Sequence, residues 1–437
     1  GLMKNLSCDD PEAFAELASE LASASRDPQV ERSVSKILAT VKEQGDEALL
    51  ELTQKYDGAS LEPSELRVSG ETLAKAKESL DPTHREAIEA SVASVRQFHT
   101  NTKPTDWLGE NLHGAIVGER HYPIERVGIY VPGGSVPLVS TVIMTVTLAR
   151  VAGVEEIVVT TPPQSNGEIA SPLLAALSLC GVSEVYKVGG AQAIAALAHG
   201  TERIEAVDKI FGPGNAYVNE AKRQVFGVVG IDLLPGPSEV MVIADETANP
   251  DYVAAAILAQ AEHGSGKEKL FLVSESEDMI QRSSQSMTKQ IKNLSHRDVI
   301  QGTLDRGYYS IFAKNEESII KVANFISPEH LELQIDSTRI DKLTASITTA
   351  GAILQGHLTP TVLGDFAAGP SHVLPTGRGA RFSSGLRLSD FLRRSSIVRY
   401  NRDSLAKAAP VIEAFSKMEQ LDAHGQSLTL RLTNPKD

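Results

Sequence analysis

Two side chains three residues apart carry the first hint of chemistry in this chain. Gln260 and His263 close a helical pattern that starts at Asn249-Pro250, and their spacing puts them on one face of its last turn. An amide oxygen beside an imidazole at a helix end can hold a metal. The same placement also suits a histidine that caps the last carbonyls at the negative end of the helix dipole. Further along, Ser327-Pro328-Glu329-His330-Leu331-Glu332 sets a carboxylate next to an imidazole. Histidine titrates near neutrality, so His330 suits an alcohol proton while Glu329 activates water. A structural alternative has Ser327 capping a helix with Glu329 in its first turn. Asp365, in Leu363-Gly364-Asp365-Phe366, and His424, beside Gly425, read individually as turn or cap residues. Gly369-Pro370-Ser371-His372 follows the first of these.

These residues must be positioned by regular elements. Residues from about 9 to 105 read as helical, with a cap at Asp9-Asp10-Pro11. From 126 to 244 strand and helix alternate. Strands are expected at Val127–Val131, Glu156–Thr160, Glu184–Val188, Val207–Ile210 and Val240–Ala244, with helices between them at 138–152, 169–180, 191–197 and 215–225. Such alternation implies a parallel α/β sheet, which binds ligands at the carboxyl ends of its strands. Glycines fall there: Gly133-Gly134, Gly189-Gly190 and Gly212-Pro213-Gly214. None forms Gly-x-Gly-x-x-Gly, so the standard dinucleotide fingerprint is absent. Tyr130 could still stand beside a cofactor seated on Gly133-Gly134. A second α/β block from 240 to about 386 is expected to hold strands at Lys269–Ser274, Tyr309–Ala313 and Ala350–Gln355. The stretch from Leu388 to Arg431 reads as helical and cannot bury a core alone, so it must dock elsewhere, a partner subunit being one choice.

Composition bounds the function. The 437 residues are 41% hydrophobic and 22% charged, an ordinary globular profile with room for roughly three domains. A net charge of −14 argues against nucleic acid or an anionic membrane as partner. No apolar run reaches the roughly 18 residues of a membrane span. Gly1-Leu2-Met3-Lys4 does not open like a signal peptide, Met3 reads as the native start, and a cytoplasmic location is expected. The two cysteines, Cys8 and Cys180, form no Cys-x-x-Cys, which disfavours a disulfide scaffold or a thiolate zinc site. Cys180, after an apolar helix, reads as a small buried hydrophobe.

The order of these motifs resembles the histidinol dehydrogenase family over nearly the whole chain. The resemblance is strongest at Val127–Gly134, Gly189–Leu197, Phe211–Asn215, Ile231–His263, Pro328–Glu332 and Gly364–Leu386. It implies an NAD- and zinc-dependent enzyme that oxidises L-histidinol to L-histidine through histidinal, the last step of histidine biosynthesis. It implies one zinc per subunit held by Gln260, His263, Asp365 and His424, and a catalytic pair Glu329 and His330. Substrate contacts would come from Ser238 and Glu419 together with His330 and the metal ligands, and NAD contacts from Tyr130, Gln192 and Asn215. His424 and Glu419 would cross the interface of a domain-swapped homodimer. The expected division is a helical arm over 1–26, a first α/β domain over 27–126 plus 240–386 with the metal and substrate site, a second over 127–239 for NAD, and a helical tail over 387–437. Both sheet domains would be Rossmann-like but incomplete. Pro235, Ala256 and His199 depart from the family's usual residues without touching a proposed ligand. The alternative is a related dehydrogenase of another polar alcohol, such as a sulfonated diol, and Glu419 suits a cationic amine better than a sulfonate. A non-enzymatic binding protein on the same fold is the remaining choice.

Overall fold

The computed structural model describes residues 4–7, 11–22, 27–133 and 137–434. Its strands, in chain order, are β1 (Lys4–Ser7), β2 (Trp107–Glu110), β3 (Ile116–Pro123), β4 (Arg126–Tyr130), β5 (Glu156–Thr161), β6 (Glu184–Lys187), β7 (Lys209–Phe211), β8 (Gly230–Ile231), β9 (Glu239–Ala244), β10 (Lys269–Ser274), β11 (Tyr308–Phe312), β12 (His330–Gln334), β13 (Ala352–Gln355) and β14 (Leu392–Arg399). They form two wholly parallel sheets, ordered β6-β5-β4-β7-β8 and β1-β11-β10-β9-β12-β13, and a small antiparallel sheet β14-β3-β2. Leaving β1 aside, both parallel sheets wind in the same order, with the first strand of each unit at the centre. The strand order reverses between β4 and β7 in one and between β9 and β12 in the other. The repeat is one of topology; no repeat is visible in the residues.

The apolar run Val240–Ala244 becomes a strand buried on both faces, as a central parallel strand must be. Its side chains alternate between two cores. Val240, Val242 and Ala244 pack with the helix Pro250–Ala261, and Met241 and Ile243 with the helix Glu316–Ile326. Asn249 caps the first of these helices by accepting from the Asp251 amide, and Pro250 takes the first helical position.

Three expectations need correction. The helices over 28–101 do not join the 240–386 unit. Val34 and Ile37 enter one core of the five-stranded sheet, and Leu73, Ile88 and Val95 enter the other. Amphipathic helices bury their apolar stripe on any sheet that offers a face, so chain position alone does not assign them. The N-terminal arm is not wholly helical: β1 adds an edge strand beside β11 before the helix Pro11–Ala22. The tail is not wholly helical: after a 3-10 turn at Leu388–Phe391 it continues as β14, in register with β3. Its residues are partly or fully exposed, as suits a strand in a small antiparallel sheet with a solvated face. The expected Asp9-Asp10 cap, Cys8 and Gly134 lie outside the described residues. No described helix is long and apolar enough to cross a membrane.

Candidate active site

A cavity of about 910 Å³ opens at the carboxyl edge of the five-stranded sheet, at its switch point. Tyr130 at the end of β4, Gln192 in the helix Gly190–His199 and Asn215 after β7 all line it. Burial pushes the Tyr130 phenol up to about 12, and its hydroxyl oxygen accepts from the Gly190 amide at 3.1 Å. Asn215 caps the helix Ala216–Val225, accepting from the amides of Tyr217 and Val218 at 3.0 and 3.1 Å. Gly212 has a φ of +111°, and a Cβ there would lie 2.1 Å from the Tyr130 carbonyl oxygen. Only glycine lets the two loops meet.

That loop is held from beneath by a fully buried ion pair. Lys222 Nζ donates to the Gly212 carbonyl at 2.9 Å, to the Leu233 carbonyl at 2.8 Å and to the Asp232 carboxylate. The other Asp232 oxygen accepts from the Gly212 amide at 2.8 Å. Both polar groups of Gly212 are thus fixed by one Lys–Asp couple. A charge with no exposure needs this density of partners.

The proton-transfer candidates lie at the other kind of edge. Glu329 and His330 stand at the amino end of β12, beside Glu239 at the amino end of β9. All three are buried. His330 Nδ1 lies 3.0 Å from Glu329 Oε1 and 3.1 Å from the Glu239 carbonyl oxygen. A carbonyl only accepts, so Nδ1 carries a proton, and when the ring is neutral it is Nε2 that has the lone pair. The two glutamates clasp each other. Glu239 donates its amide to Glu329 Oε1 at 3.3 Å, and Glu329 donates its amide to Glu239 Oε1 at 3.2 Å. Gly377 donates to Glu239 Oε2 at 3.0 Å. Burial, reinforced by the Glu329 charge, pushes the Glu239 carboxyl up to about 8. Burial opposes a charged His330, but the carboxylates of Glu329 and Asp365 outweigh it and raise the imidazole to about 9. Ser327 ends the preceding helix in the left-handed region at φ 50°, so Glu329 leads into a strand and not into a helix.

Gln260 and His263 come to this same edge because the helix Pro250–Ala261 runs antiparallel to β9. Its carboxyl end, and that of Glu316–Ile326, point there, which favours positive charge. Gln260 is buried and His263 exposed. Asp365 enters from the short helix Thr361–Phe366, and Ser238 precedes Glu239. Asp365, His330 and His263 all act electrostatically on the ring of His372. Burial drives His372 down to about 4 and keeps it neutral. Two site members escaped the sequence reading of the chemistry. His372 sat in a turn motif with no assigned role. Glu239 was signalled only as a carboxylate opening an otherwise apolar strand.

The chain does not bring every expected ligand together. Glu419, which follows the helix Arg402–Met418, and His424, in the helix Asp422–Thr433, are both exposed, and these two helices pack on each other. Among the described residues no three His, Cys, Asp or Glu side chains gather closely enough to hold a metal. The expected set explains this: one ligand is a glutamine, and His424 is on the tail.

The segment 371–377 joins the two halves. His372 Nε2 lies 3.3 Å from the Ser140 hydroxyl, in the first turn of the helix Val139–Ala152 that follows the Gly133 loop. The Thr376 hydroxyl accepts from the Gly236 amide, and Gly377 holds Glu239. A dinucleotide-sized cavity at a sheet switch point, linked in this way to a buried carboxylate–imidazole couple, defines a nicotinamide-dependent dehydrogenase. A family model described as histidinol dehydrogenase matches residues 21–432. The chain belongs to the histidinol dehydrogenase family and is an NAD-dependent oxidoreductase.

Similar proteins agree along the whole length. A histidinol dehydrogenase of Listeria monocytogenes is 42% identical over 403 residues, covering 92% of this chain and 93% of that protein. One of Agrobacterium fabrum is 42% identical over 435 residues, covering 99% of each. The crystal structure of histidinol dehydrogenase from Elizabethkingia anophelis matches with a TM-score of 0.91 at 34% identity, covering 98% of both chains. An acetylating aldehyde dehydrogenase from Geobacillus thermoglucosidasius, at 14% identity and a TM-score of 0.51 over 86% of this chain and 98% of that one, shares the fold alone. The sulfonated-diol alternative finds no support among these relatives.

Proposed function

We propose that the protein oxidises L-histidinol to L-histidine through histidinal, with His330 as general base and Glu329 as activator of water. The observation that carries this reading is the bonding of His330. With Nδ1–H fixed on the Glu239 carbonyl and the Glu329 carboxylate, Nε2 is left to take the alcohol proton. NAD, when bound, supplies the hydride acceptor, used twice per substrate. Tyr130, Gln192 and Asn215 line the cavity that would hold it. In the second half-reaction Glu329 takes a proton from water as it adds to the aldehyde carbon, and His330 returns the alcohol proton to the carbonyl oxygen, giving a hydrate. His330 then takes a hydrate hydroxyl proton as the second hydride departs, leaving the acid. Oxidation through a thioester would need a reactive cysteine. Cys180 follows the helix Ser171–Leu179 in the other domain, its thiol raised to about 11 by burial.

A zinc ion fits the donor set at the amino edge. Gln260, His263 and Asp365 supply oxygen and nitrogen ligands, two helix ends favour a cation, and His424 of a second subunit would complete four. The metal would fix the amine and imidazole of the substrate, an orienting use. Ser238 and Glu419 would contact the same substrate, Glu419 across a homodimer interface. Such a dimer would employ the exposed tail. The enzyme belongs in the cytoplasm on this reading, as a biosynthetic dehydrogenase.

The test is stoichiometric. Purified protein with zinc and NAD should yield two NADH per L-histidinol and release L-histidine. Turnover stopping at one NADH with free aldehyde would refute the role of Glu329, and no turnover with histidinol would refute the substrate.

A further inference from the structure

The cavity that would take NAD contains one charged group whose presence the fold does not explain. Asp57 lines it and is the last residue of the helix Asp46–Asp57. Its Oδ2 is buried and has no hydrogen-bond partner. Burial raises its pKa, with no opposing bond or cation. A carboxylate at the carboxyl end of a helix also faces the negative pole of the dipole. Desolvation, missing partners and the dipole all act against a carboxylate here, so its partner is to be sought in what the cavity binds.

The chemistry of the remaining lining identifies that partner. Among the described residues it holds no lysine, arginine or histidine. The end near Pro137 lies three residues before Ser140, whose hydroxyl is 3.3 Å from His372 Nε2, so that end is assigned to the nicotinamide. Ser33, Tyr56 and Asp57 come from the helices Pro28–Gln44 and Asp46–Asp57, which cover the opposite face of the sheet from Val139–Ala152, so their end is assigned to the adenosine half. An unpaired carboxylate is acceptor-only and matches a vicinal diol. A 2′-phosphate there would meet a like charge and no cation.

We propose that Asp57 accepts the hydroxyl protons of the adenosine ribose in hydrogen bonds, and that it selects NAD against its 2′-phosphorylated form. This rests on the reading that the cavity takes the dinucleotide. Calorimetric titration of full-length protein with NAD, NADP, ADP-ribose and 2′-phospho-ADP-ribose tests it. Asp57→Asn should weaken NAD and ADP-ribose about tenfold, the scale of a hydrogen bond to a charged group, and should narrow the preference over the 2′-phosphorylated pair. Its melting temperature should not fall, since the carboxylate has no structural partner to lose. An unchanged preference ratio in Asp57→Asn and Asp57→Ala, with Gln192→Ala weakening both dinucleotides, would overturn the role of Asp57 alone. If neither Gln192→Ala nor Asp57→Asn alters dinucleotide binding, the cavity reading falls with it.

Discussion

At the scale of single residues, the acid–imidazole couple makes two demands that solution measurements can check. His330→Asn keeps a polar ring-sized group and removes the base. It should lower kcat by ~10²–10⁴-fold with NAD still bound, by single-turnover kinetics and titration of the cofactor. Retention of half the wild-type rate would rule His330 out as the base. The second demand concerns pH. Folding raises Glu239 from an ordinary 4.5 to about 8 and His330 from 6.5 to about 9. Each therefore binds its proton more tightly folded than unfolded. The resulting stability is fully present below the unfolded values and declines as pH climbs through about 8 and then about 9. Melting temperatures of metal-free protein should fall across that window, and Glu239→Gln, which cannot ionise, should flatten the lower part of the decline. An equally steep slope in the variant would mean that Glu239 is already ionised at neutral pH. The Glu329–His330 pair and the Gln260/His263 spacing were legible in the sequence because they are local. Glu239 and His372 were not, because they join the site through strand pairing and a distant turn.

At the scale of elements, the buried Lys222–Asp232 pair is an anchor for the glycine loop. Lys222→Met strands the Asp232 carboxylate without its cation and should cost about 3–5 kcal/mol. Lys222→Met combined with Asp232→Leu removes both charges and should recover much of that stability in thermal denaturation. The KM for NAD should stay raised in the double variant, because Gly212 has lost both of its fixed partners. A double variant with wild-type KM would show that the loop holds itself. Element by element, β9 was plain in the sequence since every residue from Val240 to Ala244 is apolar. β12, which carries His330, was not. Its pattern His330-Leu331-Glu332-Leu333-Gln334 looks half-solvated, yet all five residues are buried. Glu332 is tolerated there because Thr361 donates both its amide and its hydroxyl to Oε2, at 3.2 and 2.7 Å. Satisfaction by a residue 29 positions away leaves no local trace.

At the scale of the whole molecule, the exposed Glu419 and His424 predict shared sites. His424→Ala should lower zinc content, read by metal analysis of the purified protein, while NAD binding persists. Full occupancy would remove His424 from the ligand set. Mixing His424→Ala with His330→Asn protein under exchange conditions should restore part of the activity, as each dimer of one kind with the other regains one complete site. No recovery, with hybrids demonstrably formed, would place all ligands within one chain. Alternation of strand and helix announced the two parallel sheets. Which sheet the helices over 28–101 would cover was hidden, because an amphipathic stripe states that a helix is buried but not against what.

The short segment 371–377 reaches Ser140 on one side and Gly236 and Glu239 on the other. A chimera that exchanged the nucleotide half for that of another dehydrogenase would therefore cut across this seam wherever its crossovers fell between residues 126 and 239. Such a transplant has to carry a compatible serine at the start of the incoming helix. Otherwise His372 loses its hydroxyl partner, and the recipient keeps its base while misplacing the ring that links it to the incoming cofactor.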